Sequence, residues 1–251
     1  MHPFSLTDDV ALVTGSSQGI GFAIAQAMRD AGAQVIYHGT RPRPKEIPPD
    51  SVYLSGDLRE SYAPTEVIHA AFKRVPNINL LICNAGSFYD VPFLEMNRAR
   101  WRHTLQLNLT ANYFLIQEFA KRLVEDKRPG AVVIVSSTSG IRPEHDATAY
   151  DITKGALITM TKSIAQALAD HHIRVNCVAP GLIQTTLAST RLAAKPECAK
   201  LYEKRIPQGR VGMPEDCAGA VVFLCSKAAS YITGEIIPID GGMTVGQIGK
   251  M

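Results

Sequence analysis

Tyr150 and Lys154 stand four residues apart in the stretch YDITK, inside a segment whose apolar periodicity predicts a helix. Residues i and i+4 share one helix face, so the phenol oxygen and the ammonium can reach the same small volume. A free tyrosine ionises near pH ~10, too high for an efficient base near neutrality, whereas a neighbouring cation favours the phenolate and lowers that value. Such a pair can give a proton to a reacting oxygen or take one from it. The same spacing also describes a packed tyrosine with a lysine snorkelling past it, so the pair alone does not establish chemistry.

The elements that would hold the pair follow from the hydrophobic pattern. Short apolar, β-branched runs at VALVT (10–14), QVIYH (34–38), SVYLS (51–55), NLLIC (79–83), AVVIVS (131–136), RVNCVA (174–179) and EIIPID (235–240) read as strands. Amphipathic segments near 19–31, 62–74, 97–125, 148–169 and 214–226 read as helices. Strands of this kind are buried on both faces, and their alternation with helices predicts an α/β fold with a doubly wound, Rossmann-type parallel sheet in a single domain. One link breaks the rhythm. GTRPRPKEIPPD, between the second and third strands, contains four prolines and has no room for a full crossover helix.

The first strand runs directly into TGSSQGIG, with Gly15, Gly19 and Gly21 ahead of the helical pattern FAIAQAMRDAG. Glycines there let the backbone turn sharply and approach a pyrophosphate, whose charge is stabilised by free N–H groups at the helix start. Glycines also serve ordinary turns. The placement after a strand and before a helix is what favours the phosphate reading.

With the spacing T-G-x-x-x-G-x-G, the chain resembles the short-chain dehydrogenase/reductase family, through motifs spread from Thr14 to Gly242. Asp57 in SGDL, Asn84, Ala85 and Gly86 in CNAG, Asn108 in LQLNLTA and Ser137 after VIVS all match, as do PGLIQT, RVGMPED and ITGEIIPIDGG downstream. Ser137 precedes Tyr150 by the family interval. The usual N-N-A-G is C-N-A-G here, and the segment 39–50 is short, which bears on the adenosine pocket. The resemblance implies a catalytic set of Asn108, Ser137, Tyr150 and Lys154. Tyr150 would be the acid/base and Lys154 would hold the nicotinamide ribose. Ser137 would bond the substrate oxygen, and Asn108 would maintain a water-linked proton path. It further implies coenzyme contacts from Gly15, Ser17, Gln18, Gly19, Ile20 and Gly21, from Thr40 and Arg41, from Asp57 and Leu58, and from Asn84, Ala85 and Gly86. Tyr150 and Lys154, then Pro180, Gly181, Ile183 and Thr185, complete that set. Substrate contacts are expected from Ser137, Tyr150 and His145, with a variable flap over 184–206.

NAD-preferring members carry an acidic residue after the second strand, whose carboxylate bonds the ribose 2′-hydroxyl and repels a 2′-phosphate. Gly39 occupies that position here, followed by Thr40 and Arg41, so NADP is favoured over NAD; Gln18, where NADP-preferring relatives often carry a basic residue, argues the other way. The implied reaction interconverts a ketone and a secondary alcohol. A nucleotide-dependent epimerase or dehydratase is the alternative, although those relatives are usually longer. A non-catalytic dinucleotide-binding protein would not need Ser137, Tyr150 and Lys154. Polar RPEHD (142–146) leans toward a sugar-like or acidic substrate, while resemblance to 3-oxoacyl-carrier-protein reductases keeps an acyl thioester in play.

The 251 residues, 46% apolar and 20% charged, suffice for one large core. A net charge of +3 with scattered basic residues argues against a nucleic-acid surface. Five cysteines, two of them in apolar runs, suggest no disulfide framework, and no His/Cys/Asp grouping has metal-ligand spacing. The N-terminus lacks the pattern of a secretory signal, and no apolar run is long enough to span a membrane, so a cytoplasmic protein is expected. Family resemblance also implies a homo-oligomer, with a tetramer expected, paired through the two long helices.

Overall fold

The computed structural model describes residues 2–89, 91–185 and 204–246. The seven apolar runs form strands β1 (Val10–Val13), β2 (Gln34–Gly39), β3 (Val52–Ser55), β4 (Leu80–Cys83), β5 (Gly130–Val135), β6 (Ile173–Pro180) and β7 (Ile236–Ile239). All pair in parallel in the order β3-β2-β1-β4-β5-β6-β7. Because β1 leads outward to β2 on one side while β4 lies on its other side, a crevice opens beyond the carboxyl ends of β1 and β4. Ligands bind there in doubly wound sheets.

Helices α1 (Gly19–Asp30), α2 (Ala63–Arg74), α3 (Arg98–Leu105), α4 (Ala111–Glu125), α5 (Thr148–Leu168) and α6 (Pro214–Cys225) cover the sheet. Alternate residues of each strand point to opposite faces. Leu12, Ile36, Leu81 and Val175 therefore meet Val67, Leu115, Phe119 and Leu157 from α2, α4 and α5. Val13, Tyr37, Ile82 and Val133 meet Ile24, Met28, Val221 and Leu224 from α1 and α6. Both layers are closely packed and buried, which holds the strand ends in place around the site.

Two connections depart from a regular winding. The expected helix over 97–125 is interrupted: between α3 and α4 the chain makes a π-helical turn, Gln106–Thr110, which contains Asn108. Between β2 and β3 there is no crossover helix, as the prolines predict. The segment instead folds back on itself: Arg43 donates to the carbonyl oxygens of Ser51 (3.0 Å) and Pro48, and Ile47 is fully buried in the α1/α6 layer. Most of the expected 184–206 flap lies outside the described residues. Among the described residues no helix is long and apolar enough to cross a membrane.

Candidate active site

The carboxyl ends of β1 and β4 are stitched together by Thr14 and Asn84. Thr14 Oγ1 accepts from the backbone N–H groups of Asn84 (3.0 Å) and Ala85 (3.1 Å), and Asn84 Nδ2 donates to the carbonyls of Thr14 (2.9 Å) and Gly15 (3.1 Å). Gly15 has φ +63, and a Cβ there would lie 2.9 Å from the Ala85 Cα. Only glycine gives both the turn and the close approach. The turn delivers the chain into α1, whose first residue follows an extended Gln18 with no side-chain cap, so backbone N–H groups face the crevice without a competing side chain.

The crevice is a cavity of about 600 Å³. Its lining includes all six expected residues of the glycine turn, then Thr40, Arg41, Asp57, Leu58, Asn84, Ala85, Gly86, Ser137, Tyr150 and Lys154, with Pro180, Gly181, Ile183 and Thr185 along the far wall. A glycine cradle, an uncapped helix start and an elongated cavity of this volume fit a dinucleotide. At the end near β2, Arg41 Nη1 reaches across to Gln18 Oε1 at 3.3 Å. Asp57 does not stand alone, because the Arg59 guanidinium bonds both its oxygens and holds its carboxyl below the usual carboxylate range.

His38, at the end of β2, is buried and accepts from the Gly15 backbone N–H through Nδ1 at 3.4 Å. Its Nε2 faces the Gly56 backbone without reaching hydrogen-bond geometry, and burial pushes the ring's pKa down to about 4. It is a neutral strut under the glycine turn. Nothing in the sequence pattern singles it out from an ordinary strand residue.

At the other end, α5 presents Tyr150 and Lys154 on one face. Lys154 Nζ lies 5.4 Å from the centre of the Tyr150 ring and donates to the Val135 carbonyl at 2.9 Å. The side chain is 5% exposed, and desolvation lowers the ammonium pKa to about 8. The Phe88 ring meets Tyr150 edge-on at 4.6 Å and limits its tilt. Ser137 lies two residues past the end of β5, at the start of the Thr138–Gly140 turn, and is buried. It accepts from the Ser139 N–H at 3.1 Å and donates to Ser139 Oγ at 3.2 Å, and Ser139 in turn donates to Glu144 Oε1 at 3.1 Å.

Asn108 is brought near this group but behind it. Its Oδ1 accepts from Ser87 N–H and its Nδ2 donates to the Ser87 carbonyl, both at 2.8 Å, while its own carbonyl accepts from Asn112 Nδ2 at 2.7 Å. Asn108 sits in the π turn, a feature frequent at functional sites.

His145 is not brought to the cavity. Its side chain is 93% exposed and pairs with Asp146 at 2.9 Å. Asp146 takes a left-handed turn (φ 58), and Glu144 N–H is anchored on Asp151 Oδ2 at 3.0 Å, so Glu144 lines the cavity in place of its neighbour. Ser139 and Glu144 are among the wall residues outside the expected set, together with Ser87, Phe88, Tyr89 and His103. The only signal for Glu144 was its place in the polar RPEHD stretch.

Comparison with known proteins agrees with this geometry. The family described as Enoyl-(Acyl carrier protein) reductase matches residues 15–244. The 3-oxoacyl-[acyl-carrier-protein] reductase FabG of Aquifex aeolicus is 38% identical over 247 residues, covering 95% of this chain and 98% of that protein. The crystal structure of a 3-oxoacyl (acyl-carrier-protein) reductase from Agrobacterium tumefaciens with NADP bound has a TM-score of 0.88 at 35% identity, with 95% of both chains covered. That of a gluconate 5-dehydrogenase from Burkholderia cenocepacia in complex with NADP and tartrate has a TM-score of 0.92 at 26% identity, covering 97% of this chain and 98% of that one. Fold and site thus define a nicotinamide-dependent oxidoreductase that interconverts a ketone and a secondary alcohol. The chain belongs to the short-chain dehydrogenase/reductase family.

Proposed function

We propose that this enzyme prefers NADP and that Tyr150 is its general acid/base, with Lys154, Ser137 and Asn108 in the supporting roles given above. The convergence of Ser137, Tyr150 and Lys154 at one end of a cavity whose other end is the glycine turn and Arg41 carries this reading. When bound, a nicotinamide coenzyme supplies or accepts the hydride. The chain does the rest. Ser137 holds the substrate oxygen, Tyr150 gives it a proton in reduction or takes one in oxidation, and Lys154 supplies positive charge beside the phenol. Arg41, Thr40 and the absence of an acidic side chain at Gly39 support NADP at the adenosine end.

The polar wall of Ser137, Ser139 and Glu144 favours a small hydroxylated substrate, in keeping with the gluconate 5-dehydrogenase likeness. The similarity to 3-oxoacyl-[acyl-carrier-protein] reductases favours an acyl thioester as the second reading. A homotetrameric, cytoplasmic protein is the accompanying picture: family resemblance supports the assembly, and the free, buried Cys83, Cys177, Cys217 and Cys225 fit a reducing compartment. The test is a panel of polyols, sugar acids and 3-oxoacyl thioesters assayed with NADP(H) and NAD(H). Turnover of a hydroxylated substrate with preference for the phosphorylated coenzyme is expected. Activity confined to thioesters selects the second reading, and preference for NADH overturns the coenzyme assignment.

A further inference from the structure

Gly39 is the last residue of β2 and lies where a coenzyme-selecting side chain would stand, but its glycine is not required by backbone conformation, since its φ lies outside the left-handed region. The reason is occupancy. A Cβ at Gly39 would lie 2.7 Å from the Tyr53 hydroxyl oxygen, 2.9 Å from Ser17 Oγ and 3.0 Å from Ser17 Cβ. Tyr53 reaches this spot because it pairs with Tyr37 in the parallel ladder, two residues before Gly39, so all three positions share one face of the sheet. Rotation of the Ser17 hydroxyl relieves only the Oγ contact, and the 3.0 Å approach to Ser17 Cβ is the milder of the two crowdings that remain. The Tyr53 ring is half-buried against the α1/α6 layer and tied by its hydroxyl to the Arg41 carbonyl, so moving it away costs packing and a hydrogen bond.

The Tyr53 hydroxyl does more than fill space. It donates to the Arg41 carbonyl at 2.7 Å, fixing the backbone of the residue whose guanidinium crosses the cavity mouth to Gln18. The rest of the short β2–β3 connection is tied down independently through Arg43 and Ile47, while on the cavity side the Tyr53 bond holds the Arg41 backbone.

We propose that Tyr53 is the positioning residue for coenzyme choice: its hydroxyl occupies the volume an acidic side chain at position 39 would need and holds Arg41 where a 2′-phosphate would be gripped. This rests on the NADP preference proposed above. Tyr53 acts through Arg41 and the space at Gly39, without touching the coenzyme. It follows that Gly39→Asp alone cannot convert the enzyme to NADH, because the new Cβ crowds the Tyr53 hydroxyl and disturbs its bond to Arg41.

The experiment is measurement of dissociation constants for NADPH and NADH, by quenching of protein fluorescence, on the parent, Tyr53→Phe, Gly39→Asp and the Gly39→Asp/Tyr53→Ala double variant, with thermal melts to confirm folding. Tyr53→Phe keeps the ring and should fold. It should weaken NADPH about five- to tenfold, the size of one hydrogen bond, and leave NADH within about twofold. Gly39→Asp should weaken NADPH without tightening NADH, and the double variant should tighten NADH by roughly tenfold over the parent. An unchanged NADPH/NADH ratio in Tyr53→Phe, or NADH tightening as great in Gly39→Asp as in the double variant, overturns the role of Tyr53 while leaving the NADP reading intact. A parent that binds NADH more tightly removes the NADP reading itself.

Discussion

In the proposed mechanism Tyr150 and Lys154 make different demands. The role assigned to Tyr150 is only to transfer a proton, so Tyr150→Phe should lower turnover by about 10²–10⁴-fold while coenzyme affinity stays close to the parent's. Single-turnover kinetics and coenzyme titration check it, and a variant retaining more than about a tenth of parental turnover would remove Tyr150 from the acid/base role. Lys154 is a cation kept in a dry place, with burial lowering its pKa from an ordinary 10.5 to about 8. Between those two values the unfolded chain holds a proton that the folded protein has shed, so stability rises with pH across that window. Below about 8 both states are protonated and the cost of burying the charge is fully present. Lys154→Met removes this pH dependence along with activity. Thermal melts of parent and variant from pH 7 to about pH 10 should therefore show the parent gaining on the variant above pH 8, and identical pH dependence would mean the ammonium is not desolvated as the geometry requires. The residue scale is also where sequence reading reached its limit. Tyr150, Lys154, Ser137 and the glycine turn were legible because their spacing is fixed by a helix or a strand end. Glu144 and His145 were not distinguishable, since a left-handed turn at Asp146 and an anchor on Asp151 decide which of two adjacent loop residues faces inward.

At the scale of elements, seven strands were legible because a strand buried on both faces has a near-continuous apolar sequence. The π turn was not. One extra residue in a helix leaves the apolar periodicity on either side almost unchanged, so the 97–125 segment reads as a single helix although Asn108 sits in the π turn. The β2–β3 connection was legible only as a place without a helix. What replaces the missing crossover is Ile47, 1% exposed, which drops from a proline-rich loop into the layer between the sheet and α1/α6. No local pattern announces a lone isoleucine as a core residue. The prediction is that Ile47→Ala costs roughly 2–5 kcal/mol, as for other large-to-small core changes, despite its position in an otherwise exposed loop. Urea unfolding monitored by circular dichroism measures it. A cost under about 0.5 kcal/mol, the range for surface substitutions, would show that the loop is not a structural plug.

For the whole molecule, the remaining question is what covers the outer face of the long helices. α4 exposes Tyr113 and Phe114, 46% and 41% accessible, and α5 exposes Ile152 at 53%. Single exposed apolar residues are ordinary on protein surfaces. Here they fall on the two helices that flank the active-site face, with α5 packed on α3 and the π turn of the same helical run, so that burying them would stiffen the helix carrying Tyr150 and Lys154. Association through a two-fold axis would set each pair of helices against its copy, and a closed symmetric assembly is the usual outcome. The expected result is a tetramer by light scattering at micromolar concentration. Tyr113→Asp combined with Phe114→Asp places four carboxylates across each such axis, where like charges repel, and should shift the population to a smaller species. Turnover should fall along with the assembly, because α5 loses its support. A parent that scatters as a monomer would overturn the assembly, and a double variant that stays tetrameric would place the interface elsewhere.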